Sequence, residues 1–383
     1  MYHMALIRRR AVPAAEWPYL EKEGFVKELL VLAGDGIGPE VCAQALRVVE
    51  VLIAKHQLEV RIENRAIGGA SYDLCGTPLS DEVRTLAGEV DAVLVGAVGG
   101  PKWQDVSREK RPEAGLLELR KAMRTYINLR PAYCFDPLVD ASSLKPDVIK
   151  GLNLIFVREL MGGVYFGEPR GVLQISAGVE KGFDTQVYTT PEIERIARAA
   201  FDLARQRQNR LVSVDKANVM ESGVLWRAVV DRLHEGEYAD VALTHMYADN
   251  CAMQLVRNPR QFDVILTDNL FGDILSDAAA MVTGSLGMLP SASLSDIGRP
   301  GLYEPIHGSA PDIAGQNLAN PIATILSIGM ALRWSLERPD LGKLVDDAVG
   351  TALARGARTR DLGGEMSTED MGSAIVQAIG VAA

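Results

Sequence analysis

The sequence predicts an α/β fold with a substantially parallel sheet, and three observations carry the prediction. Short apolar runs alternate with segments of helical period along most of the chain, the pattern of strands that each feed a helix. One glycine-rich stretch in the middle interrupts that alternation with short strand-like runs and no helix. The chain is 383 residues long and 48% hydrophobic, enough for a large core and two domains.

The elements follow in order. "ELLVLAG", "LEVRIENRAI" and "DAVLVGAVGG" read as strands, because apolar and β-branched residues run between glycine or polar breaks. Between the first two, Pro39–His56 reads as a helix, with Pro39 suited to a first turn whose N–H has no partner to lose. Further on, "RLVSVDKA", "DVALTHMY" and "FDVILTD" are strands, each followed by a helical segment. From Gly162 to Thr190 the runs "GVYFGE", "GVLQIS" and "TQVYTT" predict a β-arm projecting from the body, a device suited to dimerisation. From Asn320 onward the chain reads as helical.

Composition narrows the function. A net charge of −10 argues against a broad nucleic-acid or acidic-membrane surface, though not against a local basic pocket. Cys42, Cys75, Cys134 and Cys251 are scattered without a CxxC pair, so reduced thiols in a cytoplasmic protein are expected. The longest apolar run, "PIATILSIGMALRW", is too short to span a bilayer. Residues 1–25 precede the first strand and read as an appendage; no apolar segment of a targeting peptide follows Arg8, Arg9 and Arg10.

The glycine loop "AGDGIGPE" follows a strand and opens a helix, but its glycines at 34, 36 and 38 do not meet the GxGxxG spacing. A tight turn before a capped helix is expected, not a Rossmann nucleotide site. In "DNLFGDILSD", Asp273 and Asp277 are four apart, one turn above each other on a helix, where like charges repel. Phe271, Ile274 and Leu275 beside them should head for a core. A helix dipole would account for Asp273 in a first turn but not for Asp277. A hard divalent cation would account for both, and Asp249 in "HMYADN" offers another oxygen. Spacing alone leaves both explanations open.

Arg120 and Arg130 in "RPEAGLLELRKAMRTYINLRP", with Arg158 in "LIFVREL", are singly unremarkable surface charges; near element ends they could clamp carboxylates by forked hydrogen bonds. Lys216 in "SVDKANVMESG" stands just past a strand, where a nearby cation would disfavour its ammonium form and make it a base. Tyr165 in "GGVYFGE" reads as a packing residue of the arm. The loop "YEPIHGSAPDIAGQNLANP" is long for a compact domain, which points to function. Its Asp312 could accept from a ribose 2′-hydroxyl and would repel a 2′-phosphate.

These stretches, together with "VGAVGGPKW", "VRELMGGVYFG" and "VDKANVM", occur in an order that resembles the β-decarboxylating dehydrogenases of the isocitrate/isopropylmalate type, from about Glu28 to the C-terminus. The resemblance implies two α/β domains around a shared sheet. Residues 26–125 and 284–383 would form the first, and residues 126–283 the second, with the dimer arm and the metal site. NAD is implied as cofactor, with Gly100 to Glu113 on the nicotinamide side. Gly308, Ser309, Ala310, Pro311, Asp312, Ile313, Ala314, Gly315 and Asn320 would surround the adenosine. Asp249, Asp273 and Asp277 would hold Mg²⁺ or Mn²⁺, and a homodimer would share Lys216 and Asp249 across its interface. Lys216 is implied as the base for a substrate hydroxyl, Tyr165 as the proton donor to carbon after CO₂ leaves, and the three arginines as carboxylate clamps.

Isocitrate-using relatives place Ser and Asn six and four residues before the first arginine. Here those positions are Ala114 and Leu116, with Leu117 adjacent. An apolar wall suits an isopropyl group and would leave a third carboxylate unpaired, so 3-isopropylmalate is the expected substrate. Tartrate- or malate-type 2-hydroxy diacids are the nearer alternative. A non-catalytic regulatory paralogue is the other, and the presence of Lys216, Tyr165 and the aspartates argues against it.

Overall fold

A computed structural model describes residues 26–296 and 298–381; the appendage at 1–25 lies outside them. The strands are β1 (Lys27–Gly34), β2 (Val60–Asn64), β3 (Ala92–Ala97), β4 (Ile127–Tyr133), β5 (Asn153–Glu159), β6 (Gly171–Ser176), β7 (Val179–Phe183), β8 (Arg210–Asp215), β9 (Ala242–Tyr247), β10 (Val264–Thr267), β11 (Pro290–Leu294) and β12 (Gly301–Pro305). All but β6 and β7 join one sheet in the order β2-β1-β3-β12-β11-β4-β5-β10-β8-β9. Strands drawn from residues 27–97 and 290–305 make one half of it, and strands from residues 127–267 the other.

Both flanks are parallel, as the alternating pattern predicts. The middle, β12-β11-β4-β5, is antiparallel. Residues 295–300 link β11 directly to β12, too short a connection for the crossover that a parallel pair requires.

The helices are α1 (Gly38–His56), α2 (Gly68–Cys75), α3 (Asp81–Leu86), α4 (Pro112–Ala122), α5 (Pro146–Ile149), α6 (Thr190–Gln206), α7 (Glu221–Glu237), α8 (Ala248–Arg257), α9 (Asn269–Thr283), α10 (Ile322–Trp334), α11 (Pro339–Ala354) and α12 (Thr368–Val381). A reciprocal capping box between Thr189 and Glu192 starts α6, which then buries Ile193, Ile196, Ala197, Ala200, Phe201 and Ala204 along one stripe. The long apolar run belongs to α10, buried on every side from Ile322 to Leu332. Among the described residues no helix is long and apolar enough to cross a membrane.

Two local expectations need correction. The arm consists of β6 and β7 alone: "GVYFGE" forms a 3₁₀ turn at Gly163–Tyr165, and "TQVYTT" is no strand but leads into α6. On the hairpin Val172, Leu173, Ile175 and Val179 are all exposed. The helix after "AGDGIGPE" carries no side-chain cap. Its loop is held from outside instead, by Ile37 N–H donating to the Ser309 carbonyl at 2.9 Å.

Candidate active site

Strand register places the arginines. Asn128 on β4 is paired with Arg158 on β5, so the two side chains share a sheet face, and Arg130, two residues on from Asn128, points the same way. Helix α9 lies over that face, and Gly272 allows the approach. A Cβ there would come 2.6 Å from Arg158 Cγ and 2.4 Å from Thr267 Oγ1. Asp268 caps α9 by accepting from Phe271 N–H at 2.8 Å, so Asp273 falls in the second turn, beyond the reach of the dipole argument.

The two aspartates are held by arginine. Arg130 Nη1 lies 3.1 Å from Asp273 Oδ1 and 3.0 Å from Asp277 Oδ1, and it also donates to Ser276 Oγ at 2.8 Å. Arg130 Nε donates to Asn128 Oδ1 at 2.7 Å, which fixes the plane of the fork. Arg158 Nη1 donates to Asp273 Oδ1 at 2.5 Å, and Tyr165 Oη donates to Asp273 Oδ2 at 2.8 Å. Helix residues 269, 273, 276 and 277 thus form a polar stripe facing two buried guanidinium groups, with hydrogen bonds to charge worth about 1.5–3 kcal/mol each. Leu275 is buried as expected, but Ile274 is exposed, because the stripe takes the inward face it was expected to share.

The electrostatics differ along the stripe. Burial pushes Asp273 up, but Arg158 and Arg130 outweigh it and hold the carboxyl below the usual range. For Asp277 burial prevails over Arg130, the Asp273 charge adds to it, and the carboxyl is raised. Burial, then the like charge of Arg130, lowers Arg158.

The remaining candidates fall into three places. Arg120, at the end of α4, donates to Glu304 at 2.5 Å on β12, and its own charge reaches both Arg158 and Asp273. Leu117 is 40% exposed one turn before Arg120, whereas Leu116 packs partly buried against the core around Leu79, Val83 and Leu119. Lys216 and Asp249 pair with each other at 2.8 Å rather than with the residues of this cluster. That bond holds the Asp249 carboxyl below its usual range.

The glycine loops meet on the other half of the sheet. Buried Asp35 accepts from Gly69, Ala70 and Gly99 N–H at 2.8, 2.8 and 2.9 Å, which fixes the turn that leads to Gly100. A Cβ on Gly99 would come 2.6 Å from Glu113 Oε1 and 3.9 Å from Ser309 Oγ, so the loop at 99–100, Glu113 and Ser309 converge. Ala310, Ile313 and Ala314 pack on Ile37, Val41 and Ala319, while Gly308, Pro311, Asp312 and Gly315 are exposed. Asn320 is turned inward: its amide donates to Asp361 at 3.0 Å and accepts from Ile322 N–H, so it anchors the loop.

The donor types suit the expected groups. Asp273 and Asp277 present hard carboxylate oxygens one-third and one-half exposed, the kind that Mg²⁺ or Mn²⁺ takes while keeping open positions. Within one chain they are two donors only. Among the described residues no three acidic, His or Cys side chains are grouped for a metal, so Asp249 does not join them. The open backbone at Gly308 and Gly315, where a Cβ would meet nothing within 4 Å, gives a dinucleotide room to approach.

Asp35, Asn128, Asn269, Ser276 and Glu304 were missed in the sequence. Asn269 and Ser276 were within reach, since they lie four before and three after Asp273 on one helix. The others depend on pairing between distant segments.

Comparisons with known proteins give the chain a family. A sequence model of the family described as isocitrate/isopropylmalate dehydrogenase matches residues 28–375, and the chain belongs to that family. It is 64% identical to the 3-isopropylmalate dehydrogenase of Caulobacter vibrioides, over 92% of this chain and 99% of that one. It is 59% identical to the 3-isopropylmalate dehydrogenase of Cereibacter sphaeroides, over 92% and 98%. Among solved structures, isocitrate dehydrogenase from Methylococcus capsulatus superposes with a TM-score of 0.81 at 31% identity, covering 92% of this chain and 99% of that chain. A β-decarboxylating dehydrogenase from Thermococcus kodakarensis gives 0.75 at 35%, covering 93% and 96%.

Proposed function

We propose that this chain catalyses the NAD⁺-dependent oxidative decarboxylation of 3-isopropylmalate to 4-methyl-2-oxopentanoate and CO₂, a cytoplasmic step of leucine biosynthesis. The observation that carries the reading is one constellation. Arg130 and Arg158 converge on Asp273 beside Tyr165, and the charge of Arg120 reaches the same group while Leu117 lies one turn away on its helix.

The arginines hold the two carboxylates of the malate moiety in register. When bound, the divalent cation supplies Lewis acidity at the hydroxyl, and NAD⁺ accepts the hydride. Lys216 takes the hydroxyl proton as hydride leaves C2. Loss of CO₂ then leaves an electron pair on the adjacent carbon, and Tyr165 gives its phenolic proton there.

Asp249, paired with Lys216, does not group with Asp273 and Asp277 in one chain, so a homodimer is the assembly in which a second copy supplies the two. The exposed Val172, Leu173 and Ile175 of the hairpin, and Val219, Met253, Val256, Ile274 and Met281 on the side of α7–α9, give such a dimer an apolar surface.

One assay tests the reading. NADH formation is followed with 3-isopropylmalate, isocitrate, tartrate and malate, before and after exhaustive chelation. Preference for 3-isopropylmalate and loss of activity on chelation are expected. Preference for isocitrate would refute the substrate, and full activity after chelation would refute the metal.

A further inference from the structure

Asn269 is fully buried and uses every hydrogen-bonding group it has. Its Oδ1 accepts from Arg158 Nε at 3.1 Å and Nη2 at 2.7 Å. Its Nδ2 donates to the carbonyls of Leu160 at 3.1 Å and Gly162 at 3.0 Å, and its backbone N–H donates to Tyr188 Oη at 2.9 Å.

The two ends of this amide reach two different parts of the site. Oδ1 occupies two donors of the Arg158 fork, leaving Nη1 to face Asp273 at 2.5 Å. Nδ2 holds the segment 160–162 that runs directly into the 3₁₀ turn Gly163–Tyr165, whose phenol donates to the other oxygen of Asp273. Gly162 N–H also donates to buried Glu159 at 2.7 Å, so the segment that enters the turn is held by two side chains. Arg158 Cζ lies 5.7 Å from the centroid of the Tyr165 ring, and one amide thus sets the spacing between them.

We propose that Asn269 is a positioning residue for the reaction, which locks the carboxylate clamp Arg158 and the proton donor Tyr165 into one rigid unit. The inference rests on the function proposed above. An amide is the group this place requires, because one end must accept from a guanidinium while the other donates to two carbonyls. A carboxylate satisfies only the first demand. In Asn269→Asp, Oδ1 keeps Arg158, but Oδ2 faces two carbonyl oxygens with no proton to give, and the turn carrying Tyr165 is pushed away. Substrate binding through Arg158 should survive better than proton delivery by Tyr165.

The test measures kcat, KM and the melting temperature of Asn269→Asp and Asn269→Ala in the intact protein with NAD⁺, Mg²⁺ and 3-isopropylmalate. For Asn269→Asp the expected result is folded protein whose kcat falls at least tenfold, by a larger factor than KM rises. Asn269→Ala should lose both, since Arg158 and the turn are then both released. Any other pattern in Asn269→Asp overturns the inference: unchanged constants, a rise in KM that matches or exceeds the loss in kcat, or a chain that does not fold. The wild-type control answers the other question. If it forms no NADH from 3-isopropylmalate, the proposed substrate fails, and the same comparison is made with the diacid it does oxidise.

Discussion

Tyr165 donates its hydroxyl to Asp273 Oδ2 at 2.8 Å. Burial, and then the Asp273 charge it faces, push the phenol up to about 12. The acid form is therefore populated throughout the range in which the protein works, as a proton donor to carbon must be. Tyr165→Phe removes that proton and keeps the ring under Arg158. We expect kcat to fall by about 10²–10⁴-fold with KM little changed. The wild-type kcat profile should show no alkaline limb from this residue below pH ~10. An alkaline limb near neutrality that vanishes in the phenylalanine variant would contradict the raised pKa, and an unchanged kcat in that variant would remove the proton-donor role.

Leu117 and Leu116 both stand one turn before Arg120 on α4, and we expect both to wall the pocket. Leu117 is exposed, and Leu116 is partly buried and leans on the core as well. Leu117→Ala should cost about 1–3 kcal/mol of transition-state binding for 3-isopropylmalate and much less for malate, whose hydrogen leaves the wall empty. Leu116→Ala should cost the same discrimination and also lower the melting temperature. Steady-state kinetics on both diacids, with thermal melts, distinguish the two, and equal losses for both substrates in Leu117→Ala would remove it from the pocket.

We expect Asp312 to set the nucleotide preference. It is exposed in the loop, and its carbonyl accepts from the Gln316 side chain at 2.7 Å. A carboxylate facing the ribose pairs with hydroxyls and repels a 2′-phosphate. NAD⁺ should be preferred over NADP⁺ in kcat/KM, and Asp312→Ser should reduce that ratio by roughly tenfold or more. A ratio unmoved by the substitution would place the ribose elsewhere.

Asp268 links pH to stability. It caps α9 and accepts from Gln186 Nε2 at 2.9 Å. Burial, resisted by the Phe271 N–H bond, raises its carboxyl to about 6. The folded value lies above the unfolded one, so its contribution to stability is fully present below pH ~4 and is lost as pH rises through about 6. Asp268→Asn keeps a good cap, and Gln186, whose Oε1 has no partner, can turn to accept from the new amide. The variant should be more stable than wild type at pH 8, by about 2 kcal/mol, with the gap closing toward pH 4. Denaturation at the two pH values measures it, and a constant gap would refute it.

Much of this architecture was legible in the chain. The parallel flanks follow from strand–helix alternation, and α10 from one apolar run. The antiparallel middle was not, because β11, β4 and β5 come together from residues 290, 127 and 153, and no local pattern records such pairing. In the site, the spacing of Asp273 and Asp277 showed that the repulsion needed an answer. It could not show that Arg130 supplies one within the same chain, since that contact crosses 147 positions. The long loop at 308–320 announced itself by composition, but the inward turn of Asn320 depends on Asp361, which no motif marks.

The arginine–carboxylate cluster has a consequence for the order in which ligands arrive. Three guanidinium groups, Arg120, Arg130 and Arg158, stand against three carboxylates, Glu304, Asp273 and Asp277, so the resting site is electrically balanced. A divalent cation entering alone would leave two positive charges uncompensated beside nearly buried arginines. A dianionic diacid entering alone would leave two negative ones beside Asp273. Together they add nothing to the sum, and Arg130 and Arg158 would be freed for substrate carboxylates as the cation took the aspartates over. Such a site admits metal and diacid as an ion pair far more readily than either by itself, and each raises the affinity of the other.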